Sequence, residues 1–190
     1  MEKEIKKWKT LSSEYLIRRP WLTARRDEVE LPNGVHNPEY YVLEYPDWVN
    51  VIALTKEGKF VLVRQYRHGL DDVFTELCAG VMEKGETPEQ AARRELLEET
   101  GYTGGEWRLW MTISANPGSM NNLTYCFLAT GVEKTATQHL DATEDLNCLL
   151  YGSEEVLRLM EDGGMKQSLM LAPLWKYFCL HPETIRKQVR

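Results

Sequence analysis

Apolar residues fall into short runs separated by turn-forming residues, and this pattern predicts most of the elements in the chain. Residues 48–54 (W-V-N-V-I-A-L) and 60–66 (F-V-L-V-R-Q-Y) read as strands joined by the loop Lys56-Glu57-Gly58-Lys59. Residues 73–78 form a shorter strand that delivers the chain to Gly80. A helix follows with clear edges. Thr87 suits the N-cap, Pro88 the first helical position and Gln90 the capping-box partner, while Gly101 can take the left-handed conformation that stops it. Two further apolar segments, 107–113 and 123–130, flank a polar loop over 114–122. A second polar, acidic loop spans 138–145 before a strand at 146–151. Ser153 is expected to cap a helix with Val156, Leu157 and Met160 on one face, ended by Gly163-Gly164. The apolar segment 167–180 is expected to be helical, with Pro173 beginning or kinking a helix.

Ahead of these elements, residues 12–30 alternate polar and apolar. With Pro32-Asn33-Gly34 as the turn, they predict a hairpin whose second half is 40–45, ended by Pro46-Asp47. Residues 1–9 carry Ile5 and Trp8 one helical turn apart and read as a short docking helix or a loose lead-in. Strands interleaved with three substantial helices predict a mixed sheet covered on both faces, an α/β/α sandwich. The domain organisation expected is a β-hairpin extension over 1–46 and a main domain over 47–190. The extension is too small for a core of its own, so it must pack on the remainder or on another subunit.

Composition narrows the function classes. A chain of 190 residues with 43% hydrophobic and 27% charged residues is that of one ordinary soluble domain with a small appendage. A formal net charge of −6 argues against a general nucleic-acid or membrane-surface binder. Such a protein can handle anionic phosphates only through local arginines and bound cations. Cys78, Cys126, Cys148 and Cys179 show neither CxxC nor zinc spacing and read as reduced thiols of a cytoplasmic protein. The N-terminus has no apolar segment of the signal-peptide kind, and no stretch approaches the length needed to span a bilayer.

The helix carries the candidate chemistry. Glu95, Glu98 and Glu99 stand at i, i+3, i+4, so their carboxylates project from one face and repel one another. A hard divalent cation wants oxygen ligands in that arrangement; a solvated face neutralised by Arg93 and Arg94 is the plainer alternative. Ala91 and Ala92 lie near the same face and leave room for another element or a ligand. The wider spacing, Gly80, then Glu86, then R-E-L-L-E-E-T-G over 94–101, resembles the Nudix box, with Tyr102 where an aliphatic residue is more usual. The resemblance covers about 47–180 and implies the same α/β/α architecture. It further implies a loop-helix-loop that binds magnesium or manganese and helps hydrolyse a nucleoside diphosphate linked to another group. Glu95, Glu98 and Glu99 would be metal ligands, Arg94 would hold the box together by salt bridging, and Gly80 would let backbone approach the metal.

Other parts of a site are sought around that helix. Glu86 could add a ligand, fix its loop or serve the helix dipole. Glu76 lies in T-E-L-C-A-G, similar to the family's E-L-P-A-G; the similarity implies that Glu76 faces the site and that the Ala79 carbonyl touches a metal, with Cys78 replacing the proline. Arg64 and Arg67 end a strand, and a guanidinium suits a diphosphate clamp; resemblance to ADP-ribose pyrophosphatases favours Arg67. His68 reads as a loop histidine. Asp141, Glu144 and Asp145 are candidates for taking a proton from an attacking water, and the same resemblance singles out Glu144 as base or metal ligand. Pro117, sixteen residues after Gly101, matches ADP-ribose pyrophosphatase-like members. Asn122 departs from them, where many have glutamate, and leaves room for another sugar such as that of GDP-mannose. Trp48, Tyr41 and Tyr45, with Trp21, Arg25 and Arg26 upstream, are either core aromatics or a base pocket. The resemblance implies a homodimer whose N-terminal hairpins complete composite sites. The leading expectation is a magnesium-dependent pyrophosphatase, with manganese as a possible substitute, acting on ADP-ribose or a similar nucleoside diphosphate sugar. GDP-mannose is the nearest alternative substrate, and a non-catalytic module sensing such a ligand is the alternative from another class.

Overall fold

The structure, a computed structural model, describes residues 4–186 and divides into two units. The first comprises the chain up to Pro46 together with Asn116–Asn122. It is a three-stranded antiparallel sheet of β1 (Lys9–Arg19), β2 (Leu22–Glu30) and β3 (His36–Glu44), in that order. The expected hairpin is present, with one strand more. The 12–30 segment turns back at Pro20-Trp21, pairing Arg19 with Leu22, so the arm expected as one strand is itself a hairpin. Of the 1–9 segment, residues 1–3 lie outside the described residues, and 4–8 have no regular structure. The loop Asn116–Asn122 extends the edge of β3. Leu43 N–H donates to Ser119 O at 2.7 Å, Asn121 N–H to Leu43 O at 3.3 Å and Tyr40 OH to Gly118 O at 2.6 Å.

The second unit holds a mixed sheet in the order β10-β5-β6-β4-β9-β7, with β8 also pairing to β9. Its strands are β4 (Trp48–Thr55), β5 (Phe60–Arg67), β6 (Asp72–Val81), β7 (Tyr102–Thr103), β8 (Glu106–Ile113), β9 (Thr124–Lys134) and β10 (Leu146–Tyr151). β4 and β9 run parallel, in register from Trp48↔Thr124 to Leu54↔Thr130, and the neighbouring ladders are antiparallel. Successive side chains on a strand point to opposite faces, and β4 shows what this achieves. Val49, Val51 and Ala53 pack with Ala91, Ala92 and Leu96 of α1 (Pro88–Thr100), on one face. Ile52 and Leu54 pack on the other with Val156 and Met160 of α2 (Ser153–Glu161), and with Met170, Leu174, Tyr177 and Phe178 of α3 (Ser168–Leu180). Helices on both faces make the expected α/β/α sandwich. A short α4 (Glu183–Arg186) ends the described chain, and no helix among the described residues is long and apolar enough to cross a membrane.

The edges of α1 are those the sequence predicts. Gln90 N–H donates to Thr87 Oγ1 at 3.3 Å, Thr87 N–H donates to Gln90 Oε1 at 2.8 Å, and Gly101 stops the helix at φ 76°. Two other helices differ from expectation. Gly152, not Ser153, is the N-cap of α2; Glu155 in the first turn accepts the Gly152 N–H at 2.7 Å, and glycine has no side chain to return the bond. Pro173 neither begins nor interrupts α3, which runs continuously past it. Its missing N–H leaves the Leu169 carbonyl without its helical partner. That carbonyl instead accepts from Asn50 Nδ2 at 2.8 Å, across from β4.

This pairing predicts a coupled effect. Asn50→Ala should cost about 1–3 kcal/mol in unfolding free energy, the cost of stranding a buried carbonyl, and clearly less in a Pro173→Ala background, where a helical N–H returns. Urea titrations of the four proteins measure both terms, and equal costs in the two backgrounds would refute the coupling.

Candidate functional site

The site is built where β6 ends against α1. Glu76, Cys78 and Gly80 alternate along one side of β6, and Gly80 lies so close to Glu95 that a Cβ there would stand 2.0 Å from the Glu95 carboxyl carbon. The constraint is space, since the backbone of Gly80 lies outside the left-handed region. One residue earlier, Ala79 N–H donates to Glu99 Oε2 at 3.1 Å. The strand end and two of the helix carboxylates are thereby locked together.

Arg94 organises the remaining charges. Its Nε and Nη2 fork onto Glu86 at 2.8 and 3.0 Å, and Nη2 also reaches the Val81 carbonyl at 3.0 Å. Its Nη1 bonds Glu95 Oε1 at 2.8 Å and Glu98 Oε2 at 3.0 Å. The bond from Arg94 holds Glu86 below the usual carboxylate range. Glu95 and Glu99 go the other way. Burial raises the Glu95 carboxyl against the pull of Arg94, and the charges of Glu98 and Glu144 add to the rise. Burial pushes Glu99 up to about 8, opposed by hydrogen bonds from Cys78 and the Ala79 N–H and reinforced by Glu95 and Glu144.

The three carboxylates expected on α1 therefore share one region with a fourth, Glu144, and a single guanidinium already shared with Glu86. That excess of negative charge, half of it buried, fits a hard cation with oxygen ligands. Among the described residues no three acidic, His or Cys side chains stand ready as a metal cage. Arg94 Nη1 bridges Glu95 and Glu98 instead, so the acidic face combines both sequence readings, salt bridging and excess charge.

Glu144 lies exposed in the loop between β9 and β10. It is folded on itself, its Oε2 accepting from Asp141 N–H at 2.9 Å and its own N–H donating to Asp141 O at 2.9 Å. Arg67 ends β5 and forks onto the buried Glu76, with Nε 3.1 Å and Nη2 2.5 Å from Glu76 Oε2. Gln65 adds a bond to the same oxygen at 3.3 Å. His68 belongs to its loop, sharing the Tyr66 hydroxyl with Asp71.

Behind Ala79, Gly80 and Val81 opens a cavity of about 340 Å³, within the range of small-molecule sites. Trp48 and Arg67, two of the residues named for substrate contact, line it. The sequence reading missed Val49, Asn50, Thr124, Gln167, Leu169 and Met170, which complete it. Asn50 Oδ1 and Gln167 Oε1 are buried without a hydrogen-bond partner. Asn50 could have been noticed as the single amide in an otherwise apolar strand; Gln167, just before α3, offers no such signal. Tyr41 and Pro117 belong to the first unit, as does Asn122, whose Nδ2 donates to Pro46 O at 3.0 Å. Tyr41 is half exposed.

Comparison with known proteins adds identity to this geometry. Residues 8–43 match the model of a nucleoside diphosphate sugar hydrolase N-terminal domain, and residues 44–170 that of the NUDIX domain. An ADP-ribose pyrophosphatase of Bacillus subtilis (strain 168) is 34% identical over 80% of this chain and 83% of its own. A GDP-mannose pyrophosphatase of Enterobacter sp. (strain 638) is 29% identical over 88% and 91%. A solved structure described as an ADP compounds hydrolase superposes with a TM-score of 0.81 at 22% identity, covering 100% of both chains, and so shares the fold.

The tight contact at Gly80 gives a direct test. Gly80→Ala should force Glu95 aside and lower unfolding free energy by about 1–3 kcal/mol, the usual cost of overpacking. Denaturant unfolding followed by tryptophan fluorescence measures it, and an unchanged midpoint would show that Glu95 yields freely.

Proposed function

The chain belongs to the NUDIX family, and we propose that it is a pyrophosphohydrolase of nucleoside diphosphate sugars, releasing a nucleoside monophosphate and a sugar phosphate. One observation carries the reading. The under-neutralised carboxylates of α1 press on the Ala79–Val81 strand end, and the other side of that strand end lines a ligand-sized cavity holding Arg67. ADP-ribose is the first substrate, supported by the similarity to the Bacillus subtilis enzyme across most of both chains. GDP-mannose is the second, supported by the Enterobacter relative and by Asn122 in place of a carboxylate.

Glu95, Glu98 and Glu99, with the Ala79 carbonyl, would hold magnesium, or manganese in its place. When bound, the ions supply charge neutralisation at the phosphate oxygens and lower the pKa of the attacking water. Arg94 keeps Glu95 and Glu98 in place while Glu86 takes the rest of its fork. Arg67, held through Nε and Nη2 by Glu76, presents its Nη1 edge to the diphosphate. Glu144 leaves the Asp141 N–H, an exposed bond that water replaces, and takes the proton of the attacking water. The water oxygen bonds to phosphorus as the bridging P–O bond breaks, and the departing phosphate keeps that electron pair.

We assign residues 1–46 to dimerisation and residues 47–190 to the hydrolase domain. The first unit leaves Leu11, Tyr15, Ile17, Trp21 and Leu22 exposed, apolar side chains of the kind that mark an interaction surface. A second copy would cover it, and Tyr41, Pro117 and Trp48 are assigned to substrate binding in the resulting dimer. The free cysteines, Cys78, Cys126, Cys148 and Cys179, suit a reducing cytoplasm.

Purified protein with magnesium, and separately with manganese, should release a monophosphate from ADP-ribose or GDP-mannose in a product-resolved nucleotide-sugar panel. Absence of turnover across the panel would leave a sensing module as the better description. Glu98→Gln should lower kcat roughly 100-fold, since even outer partners of metal ligands are worth about 10–100-fold; an unchanged rate would remove Glu98 from the metal set. Light scattering should give twice the chain mass at working concentration, and a monomer mass would end the dimer assignment.

A further inference from the structure

We propose that Gln138 is a positioning residue that sets where Glu144 stands relative to the α1 carboxylates. The proposal rests on the reading of Glu144 as the group that takes the proton.

The last carbonyls of a helix have no partners within it, and those of α1 are taken up by the segment that leads into the Glu144 loop. His139 N–H donates to Glu98 O at 2.9 Å, and Thr135 and Ala136 N–H donate to Gly101 O at 2.9 and 3.1 Å. The remaining bond is made by a side chain. Gln138 Nε2 donates to Glu99 O at 2.6 Å and also reaches Leu146 O at 3.4 Å. Both partners are carbonyls, which only accept, so the amide nitrogen must face them and the orientation is fixed.

Leu146 is the buried first residue of β10. One side chain therefore ties the entry of the loop, its exit and the end of α1 to one another. Residues 141–145 are exposed, and the loop is gathered at its base while its tip is open to water. Glu144 sits in that stretch, two residues ahead of Leu146. The backbone of Glu98 and Glu99 thus anchors the loop whose carboxylate must meet the substrate held by their side chains. Among the described residues the Gln138 amide makes the hydrogen bond that joins the two feet of the loop directly, and its loss would let them shift relative to each other. Glu144 would then sample positions displaced from the reacting phosphorus, where an error of about 1 Å can cost on the order of 100-fold.

The test is a double-mutant cycle of Gln138→Met, which keeps the bulk and removes the donor, with Glu144→Gln. Gln138→Met should lower kcat about tenfold with KM within about twofold, well inside the range that misplacement produces. In the Glu144→Gln background the same change should lower kcat no further. Amide hydrogen exchange at His139 should speed up in Gln138→Met while exchange in β4 stays as in the parent. A cooperative unfolding transition confirms the variant is folded. A parental rate in Gln138→Met, or a drop of equal size in both backgrounds, overturns the proposal alone when Glu144→Gln is itself impaired. A parental rate in Glu144→Gln overturns the proton-acceptor reading and the proposal with it.

Discussion

The guanidinium of Arg94 is the interaction on which the site depends. It spends one edge on Glu86 and the other on Glu95 and Glu98, so one cation holds three anions from two different segments. A carboxylate cluster on a helix is self-repelling, and its members would swing toward solvent unless held. Here Arg94 holds two of them and the Ala79 N–H holds a third, Glu99. What remains is a deliberate shortfall of positive charge in a partly buried space. Among the described residues no cation is paired with Glu99, and burial raises its carboxyl to about 8. The fold and the chemistry meet in that shortfall, because the same residues that brace the helix against β6 are the ones left wanting a cation.

The second dependence is on thinness. Gly80 puts Glu95 against backbone, and the reverse side of the same stretch lines the cavity. Arg67, at the neighbouring strand end, is aimed by the buried Glu76 in the way that Glu95 is aimed by Arg94. Arg67 and Glu95 are thus each oriented by an opposite charge. Such pairs fix side-chain rotamers more than they stabilise the fold, since half-exposed ion pairs contribute little net stability.

Much of this was legible in the sequence because it is local. The edges of α1 follow from Thr87, Pro88, Gln90 and Gly101, each acting on backbone within four residues. The spacing of Glu95, Glu98 and Glu99 puts their side chains on one helical face, whatever the rest of the chain does. The strands over 48–54, 60–66 and 146–151 announce themselves by apolar runs between turn residues. The turn at Pro20-Trp21 carried one signal, the proline, without the glycine or asparagine that marks a two-residue hairpin loop. Pro173 misled because its cost is set by a residue 123 positions earlier, Asn50. Gln138 and Gln167 escaped notice for the same reason: what an amide does depends on the carbonyls or the cavity that tertiary structure places beside it. The family resemblance supplied roles for Arg67 and Glu144 that no local pattern could.

The bond between Asn50 and Leu169 has a consequence for how this chain can change over generations. With Pro173 in place, nearly any replacement of Asn50 strands a carbonyl in the core, so the strand position is locked. If position 173 first regains an N–H, the helix closes its own bond and Asn50 is released to vary. The order of the two steps therefore matters: one path crosses a destabilised intermediate and the other does not. Because Asn50 also lines the cavity, a drift in the composition of α3 would open the ligand wall to new residues. A silent change in a helix could thus precede, and permit, a change in what the enzyme accepts.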